Sequence, residues 1–507
     1  MTAKTWTGLG ALATVVILSA SHANAASLAP AQCTALTSGA FTADVGAETS
    51  IQSAEIVSAG NGKPAHCRVL ANIAPSIGVE VRLPMDQWSG RFLFTGCGGL
   101  CGVINSVAGD DALMRGYAVA TTDMGHRIPA SGDQRGWTKD RQLVVDWLHR
   151  STHLATVLAK AVIAQAYGTT QDHAFYRGCS TGGRQGLTEA LMYPDDFDGI
   201  IAGAPAANMV TPHGVYSYAS NTRSDGSPIL TADALRLLAG AALQSCDMDD
   251  GVKDGVLGDP QSCSFDPAAL ACKPGVNDGC LTAEQIATAE KIYSGAVKAD
   301  GTPFYPIGYA KGSELGWIRG LVGENGRPAG RAGSSQFAIE TLIGPDATLA
   351  DFDYAKHGTT GGPVGGVLDY GPDGRALATF KDRGGKILIY HGWSDTDATP
   401  ASSLDFYEHH DAAFGTDALT KFVRVFMMPG MTHCRGGPGV DTADYLTAIE
   451  QWVEQDKAPD QLDAYRTTAP PESYRPFPLD ESSIVARRTI YPYPANAVYD
   501  GKAWRTK

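Results

Sequence analysis

Short apolar runs bounded by Gly or Asp alternate along the chain with longer stretches whose apolar residues recur at helical spacing. Arg91-Phe-Leu-Phe-Thr95 and Ala118-Val-Ala-Thr-Thr122 read as strands and Ser151 to Tyr167 as a helix. Ala174-Phe-Tyr-Arg-Gly178 follows as a strand, Arg184 to Met192 as a helix and Gly199-Ile-Ile-Ala-Gly203 as a strand. This alternation predicts a mostly parallel sheet covered by helices on both faces, an α/β fold. After about Pro205 the texture changes to Gly-, Asp-, Ser- and Pro-rich sequence that carries Cys246, Cys263, Cys272 and Cys280. Alternation resumes only with Lys386-Ile-Leu-Ile-Tyr390 and Phe422-Val-Arg-Val-Phe426, so residues 207–375 are read as an insertion into one sheet domain made of 26–206 and 376–507.

Residues 1–25 have another character. Lys4 supplies a positive end, Leu9 to Ser19 an apolar stretch, and Ala23-Asn24-Ala25 a small-residue cleavage site, which is the pattern of an export signal. The apolar stretch is well short of the ~20 residues a membrane span needs, so no membrane insertion is expected and the mature protein is placed in the periplasm or outside the cell. Ten cysteines in such a compartment are expected to pair. Forty Lys and Arg against 54 Asp and Glu give a formal charge of -14 without any basic run, which argues against nucleic acid as a partner. No obligate protein partner is evident.

The candidate chemistry centres on Gly178-Cys179-Ser180-Thr181-Gly182, the only G-x-S-x-G in the chain, lying between a predicted strand and a predicted helix. A serine on such a turn is held in a strained conformation with its hydroxyl off the sheet, and the helix start behind it offers backbone N–H groups to a developing oxyanion. Serine needs a base, and a carboxylate to orient that base. His433 follows a strand-like run and the turn Pro429-Gly430; His409 and His410 lie in the charged helical patch Leu404 to Phe414 and are read as a solvated helix face. Asp395 and Asp397, after the strand Ile387 to Tyr390, are the candidate acids, and spacing does not choose between them. The order Ser, Asp, His is that of the α/β-hydrolase fold.

Cys179 immediately precedes the candidate nucleophile and Cys434 immediately follows the candidate base. If Ser180 and His433 share a hydrogen bond, their neighbours fall within disulfide range, and a bridge would hold base against nucleophile across distant segments.

With these motifs the chain resembles the tannase and feruloyl esterase family, which includes mono(2-hydroxyethyl) terephthalate hydrolases. The segments that carry the resemblance are Gly178-Cys-Ser-Thr-Gly-Gly-Arg-Gln-Gly186, Tyr193-Pro-Asp-Asp-Phe-Asp-Gly-Ile-Ile-Ala-Gly-Ala-Pro205, His391-Gly-Trp-Ser-Asp395 and His433-Cys434, within a likeness that spans residues 30 to 475. The resemblance implies Asp395 as the acid, a Cys179–Cys434 bridge, and further bridges Cys33–Cys67, Cys246–Cys263 and Cys272–Cys280. It implies oxyanion donors at the Thr181 amide and, from Gly96-Cys-Gly-Gly99, at Gly98. Cys97 and Cys101 depart from the family's glycine-rich pattern there, and are expected either as a tight local disulfide or as free thiols. A zinc site at this C-x3-C lacks a complementary ligand cluster.

The loop Cys246-Asp-Met-Asp-Asp-Gly-Val-Lys-Asp-Gly-Val256 gathers four carboxylates. By composition it is either a solvated acidic turn or a site for a hard cation, and no EF-hand pattern is present. The resemblance implies a structural Ca²⁺ held by Asp247, Asp250 and Asp254 side chains with the Val252 and Val256 carbonyls, and a lid formed by the insertion. The expected activity is serine-dependent hydrolysis of an aromatic carboxylic ester, hydroxycinnamoyl, galloyl or terephthaloyl in type, without an organic cofactor. The alternatives are an esterase for another small acyl group and a non-catalytic, calcium-braced binding protein.

Overall fold

A computed structural model describes residues 26–60, 62–129, 131–132, 136–207, 210–297, 301–323, 343–344, 347–348, 351–352, 368–371, 373–468 and 476–507. The expected signal at 1–25 and most of the insertion's second half lie outside these residues.

Nine strands form one sheet, in the order β1-β2-β3-β5-β4-β6-β7-β8-β9. They are β1 (Thr49–Val57), β2 (His66–Ile73), β3 (Ile77–Pro84), β4 (Arg91–Thr95), β5 (Ala118–Thr122), β6 (His173–Cys179), β7 (Gly199–Gly203), β8 (Lys386–Gly392) and β9 (Val423–Met428). From β5 across to β9 every neighbouring pair is parallel, whereas β1, β2 and β3 are antiparallel and join β5 antiparallel. Strands such as β3, β5 and β7 are buried at every position, as in a sheet covered on both faces, and only β7, Gly-Ile-Ile-Ala-Gly, is apolar throughout. The helices Ser151–Tyr167 and Thr181–Met192 pack against its centre. This is the α/β-hydrolase fold.

Between β7 and β8 the chain leaves the sheet. The helices Ala232–Cys246 and Ala283–Ser294 build a separate apolar cluster around Leu235, Leu238, Ile292 and Trp317. After β9, a small sheet of β10 (Thr442–Ala443), β11 (Leu462–Thr467) and β12 (Ile484–Ile490) completes the core.

Five disulfides staple these parts: Cys33–Cys67, Cys97–Cys101, Cys179–Cys434, Cys246–Cys263 and Cys272–Cys280. Cys97 and Cys101 are thus bridged, which settles the alternative left open by their spacing. One expectation fails. His410 is fully buried, not solvated, because it sits one turn after Phe406 and one before Phe414 on the inner face of the helix Ala401–Phe414, giving Nδ1–H to the Phe406 carbonyl at 2.7 Å. Burial lowers its pKa to about 4. His409 alone is on the solvated face.

Candidate active site

Ser180 stands at the sharp turn from β6 into the helix Thr181–Met192, with φ 64° and ψ -123°, a conformation that L-residues seldom adopt. The turn is held from both sides: Ser180 N–H donates to the Gly203 carbonyl at 2.9 Å, and its own carbonyl accepts from Ala206 at 2.9 Å. A Cβ at Gly178 would lie 2.6 Å from the Gly182 backbone and one at Gly183 2.3 Å from the Gly203 carbonyl oxygen, so only glycine lets strand and helix approach this closely.

The acid and base arrive on neighbouring loops at the carboxyl ends of β8 and β9. These loops are hydrogen-bonded to each other, Trp393 N–H to Met428 O at 3.0 Å and Ser394 N–H to Met431 O at 3.0 Å, and a Cβ on Gly392 would meet the Met431 carbonyl oxygen at 2.1 Å. The result is a continuous chain of contacts. Asp395 Oδ2 lies 2.7 Å from His433 Nδ1, and His433 Nε2 lies 2.9 Å from Ser180 Oγ. With Nδ1–H donating to the carboxylate, the Nε2 lone pair faces the serine hydroxyl. Cys179 and Cys434 are bridged with their Cα atoms 6.0 Å apart, tying the residues that flank nucleophile and base.

Asp395 is buried, and its other oxygen accepts the backbone N–H groups of Asp397 and Ala398 at 2.8 and 2.9 Å. Burial pushes its pKa up, but the charge of His433 and the hydrogen bonds from His391 and His433 outweigh burial and hold the carboxyl well below the usual carboxylate range. Asp397 instead faces the insertion, where Arg319 pairs with it. Tyr309 OH donates to the Thr396 carbonyl at 3.4 Å, so the insertion touches the acid loop on two sides.

The donors expected for an oxyanion lie beside Ser180. Among the described residues, the Thr181, Gly98 and Gly99 amides meet no protein acceptor. The loop after β4 abuts the start of the serine-bearing helix: Thr181 Oγ1 donates to the Gly99 carbonyl at 2.6 Å, and a Cβ on Gly182 would lie 2.8 Å from the Cys97 carbonyl oxygen.

Two supporting residues were not singled out from sequence. His391 is fully buried, donates Nε2–H to the Ala398 carbonyl at 2.6 Å, accepts from Ser403 at 2.7 Å and stands 3.4 Å from Asp395 Oδ2, so it braces the acid's turn. It opens the quoted His391-to-Asp395 motif, which was the available signal. Gln185, also inside a quoted motif, lies on the serine-bearing helix and its side chain reaches the Cys97 N–H of the loop after β4 at 3.4 Å.

Away from this site, Asp247 and Asp250 are buried and Asp254 is exposed. Asp247 accepts the Asp254 and Gly255 N–H groups, and Asp250 pairs with Arg488 of β12 at 2.5 Å, with Asp254 3.7 Å from the same guanidinium. Desolvation raises the Asp254 pKa, the neighbouring Asp250 and Asp247 add to it, and Arg488 opposes them. The donor set is all oxygen and carries one guanidinium against three carboxylates, which fits a hard cation chemically. The three carboxylates are not drawn together; among the described residues the one metal-ligand-type trio within 4.8 Å is His153, Glu189 and Asp196.

Comparison with known proteins identifies the family. The family model "Tannase and feruloyl esterase" matches residues 63–507. The chain is 30% identical to a mono(2-hydroxyethyl) terephthalate hydrolase of Piscinibacter sakaiensis over 86% of this chain and 83% of that protein. It is 31% identical to a probable feruloyl esterase B-1 of Aspergillus flavus, covering 87% and 86% respectively. The crystal structure of feruloyl esterase B from Aspergillus oryzae superposes with a TM-score of 0.78 at 26% identity, covering 94% of this chain and all of that one. The chain belongs to the tannase and feruloyl esterase family of carboxylic ester hydrolases.

Proposed function

We propose that the protein is an exported serine esterase that cleaves aromatic carboxylic esters through an acyl-enzyme. The observation that carries this reading is the unbroken Asp395–His433–Ser180 chain at 2.7 and 2.9 Å beside amides that meet no acceptor among the described residues. Ser180 Oγ attacks the ester carbonyl as His433 Nε2 takes its proton, and the imidazolium so formed is stabilised by Asp395, whose lowered pKa keeps it ionised. The Thr181 and Gly98 amides stabilise the oxyanion. His433 then protonates the leaving alcohol, activates water, and the acyl-enzyme is hydrolysed.

The aromatic acyl class is supported by relatives named for feruloyl and mono(2-hydroxyethyl) terephthalate esters. Export is supported by five disulfides; among the described residues no helix is long and apolar enough to cross a membrane. The insertion's contacts with the acid loop support its role as a lid that selects substrates. We also propose calcium at the 246–256 loop, held by Asp247, Asp250 and Asp254 with the Val252 and Val256 carbonyls. The ion would neutralise carboxylate charge that Arg488 leaves unbalanced and would take no part in the chemistry.

A test is turnover of methyl ferulate, methyl gallate and mono(2-hydroxyethyl) terephthalate against short aliphatic esters. Preference for an aromatic acyl group is expected; equal or better turnover of aliphatic esters would give the selectivity to another small acyl class.

A further inference from the structure

The oxyanion reading places a demand on a segment ill suited to meet it. The chain from Gly96 to Gly102 is a loop with Gly98 and Gly99 exposed and with Gly99, Cys101 and Gly102 all at positive φ (59°, 66° and 86°). Amides on such a loop have many conformations open to them, whereas an oxyanion donor contributes only if it is fixed before the charge develops. Something must hold it.

Two devices do so. The Cys97–Cys101 bridge closes the loop on itself, and within that ring Cys101 N–H donates to the Gly98 carbonyl at 3.1 Å, orienting the peptide next to the Gly98 amide. Gln185, on the second turn of the serine-bearing helix and buried, then fastens the ring to the nucleophile. Its Oε1 faces the Cys97 N–H at 3.4 Å, and its Nε2 lies 3.2 Å from Cys97 Sγ and 3.8 Å from Cys101 Sγ. Gln185 is itself held by Tyr176 OH, which donates toward Oε1 at 3.1 Å and also bonds the Gly182 carbonyl at 2.8 Å. Tyr176 lies on β6, the strand that delivers Ser180. Strand, helix and loop are thereby locked together through one amide side chain and one disulfide.

We propose that the Cys97–Cys101 disulfide and Gln185 are positioning elements of the oxyanion hole, acting on the stability of the tetrahedral intermediate and not on substrate binding or on the Ser–His–Asp contacts. This rests on the serine-esterase reading. Neither residue touches the reacting atoms; each acts through the Gly98 amide. Opening the disulfide frees the loop while Cys179–Cys434 keeps His433 against Ser180, so the two bridges govern separate parts of catalysis.

The test compares wild type, Cys97→Ser/Cys101→Ser and Gln185→Met, the last keeping side-chain volume in case the cysteine variant does not fold. Three readouts are needed: kcat and KM on the best ester of the panel, the inhibition constant of an aryl boronic acid that forms a tetrahedral adduct at Ser180, and the thermal midpoint. The expected result is a kcat loss of about tenfold or more, below the 10²–10³ of deleting a donor outright. KM should stay within about twofold, and boronic acid affinity should weaken in step with kcat. Unchanged kcat, or a fall in kcat with boronic acid affinity intact, overturns the proposal. Phosphonate labelling of wild-type Ser180 separates the two levels: a labelled wild type with indifferent variants sinks the positioning role alone, and a wild type that neither turns over ester nor labels sinks the serine reading with it.

Discussion

Asp395 and the loop carboxylates Asp247 and Asp250 are all taken out of water, and they are handled in different ways. The Asp395 carboxylate has partners built by the sheet itself: His433 and His391 come from β9's loop and β8, with two backbone amides of its own turn, and together they overcome burial and keep it charged. The insertion's buried carboxylates also accept amides of their own loop, Asp247 from Asp254 and Gly255 and Asp250 from Val252, and have an arginine where Asp395 has two histidines. The guanidinium of Arg488 comes from β12, 238 positions beyond Asp250, and Asp254 is pushed above its ordinary pKa. On the proposed reading, the charge used in chemistry is held by rigid neighbours, whereas the charge of the loop is left for a counter-ion to complete.

The contrast breaks first at the acid. Asp395→Asn should lower kcat by about 10⁴-fold, the cost typical of losing the carboxylate from such a triad. Asp397→Asn should cost less than about fivefold, since its pair with the largely exposed Arg319 is worth at most about 1 kcal/mol. Steady-state kinetics on both variants decide, and the reverse ranking would move the acid to Asp397.

Removing the bridge that ties base to nucleophile should come next. It closes 255 residues, for which chain entropy gives a ceiling of about 5 kcal/mol. Cys179→Ala/Cys434→Ala should therefore unfold at markedly lower denaturant and lose activity even where it remains folded. Full activity in the folded variant would show that the sheet alone aligns the triad.

A smaller effect is expected at the insertion. Calcium at a hundredfold excess over its Kd adds about 2.7 kcal/mol, so chelation should lower the Tm by several degrees while activity per folded molecule stays constant. Identical melting with chelator and with calcium would mean that Arg488 alone closes the loop.

The smallest effect concerns Glu189, a buried residue of the serine-bearing helix near Asp196. Burial first, then the charge of Asp196 and a shared hydrogen bond with it, raise its pKa well above the ordinary value. A carboxyl raised in the folded state stabilises below its unfolded pKa of ~4.3 and loses that contribution as pH climbs through the folded value. Glu189→Gln should melt close to wild type at pH 5 and above it at pH 8. A difference that does not change with pH would contradict the raised Glu189 pKa.

What was legible in the sequence follows from the range of the interactions involved. The parallel strands β4 to β9, the serine turn and the acid and base loops are each written in a few consecutive residues, because glycines, apolar runs and the Cys-Ser and His-Cys pairs are local. The antiparallel strands β1 to β3 were not read, since their character comes from pairing with one another and not from β/α alternation. His410 was placed in solvent because neighbouring charges masked its alignment with Phe406 and Phe414. Arg488 lies 238 positions from Asp250, and nothing local announces that pair. Gln185 stood inside a recognised motif, but its clamp on Cys97 exists only once β4 and β6 are neighbours.

The central claim is that Ser180, activated by His433, forms the acyl-enzyme, and mass spectrometry of protein quenched during turnover of an aromatic ester tests it most directly. Wild type should carry the acyl mass on the peptide containing Ser180, and Ser180→Ala should carry none and should not hydrolyse the ester. Undiminished hydrolysis by Ser180→Ala, or acyl mass on another residue, would contradict the claim.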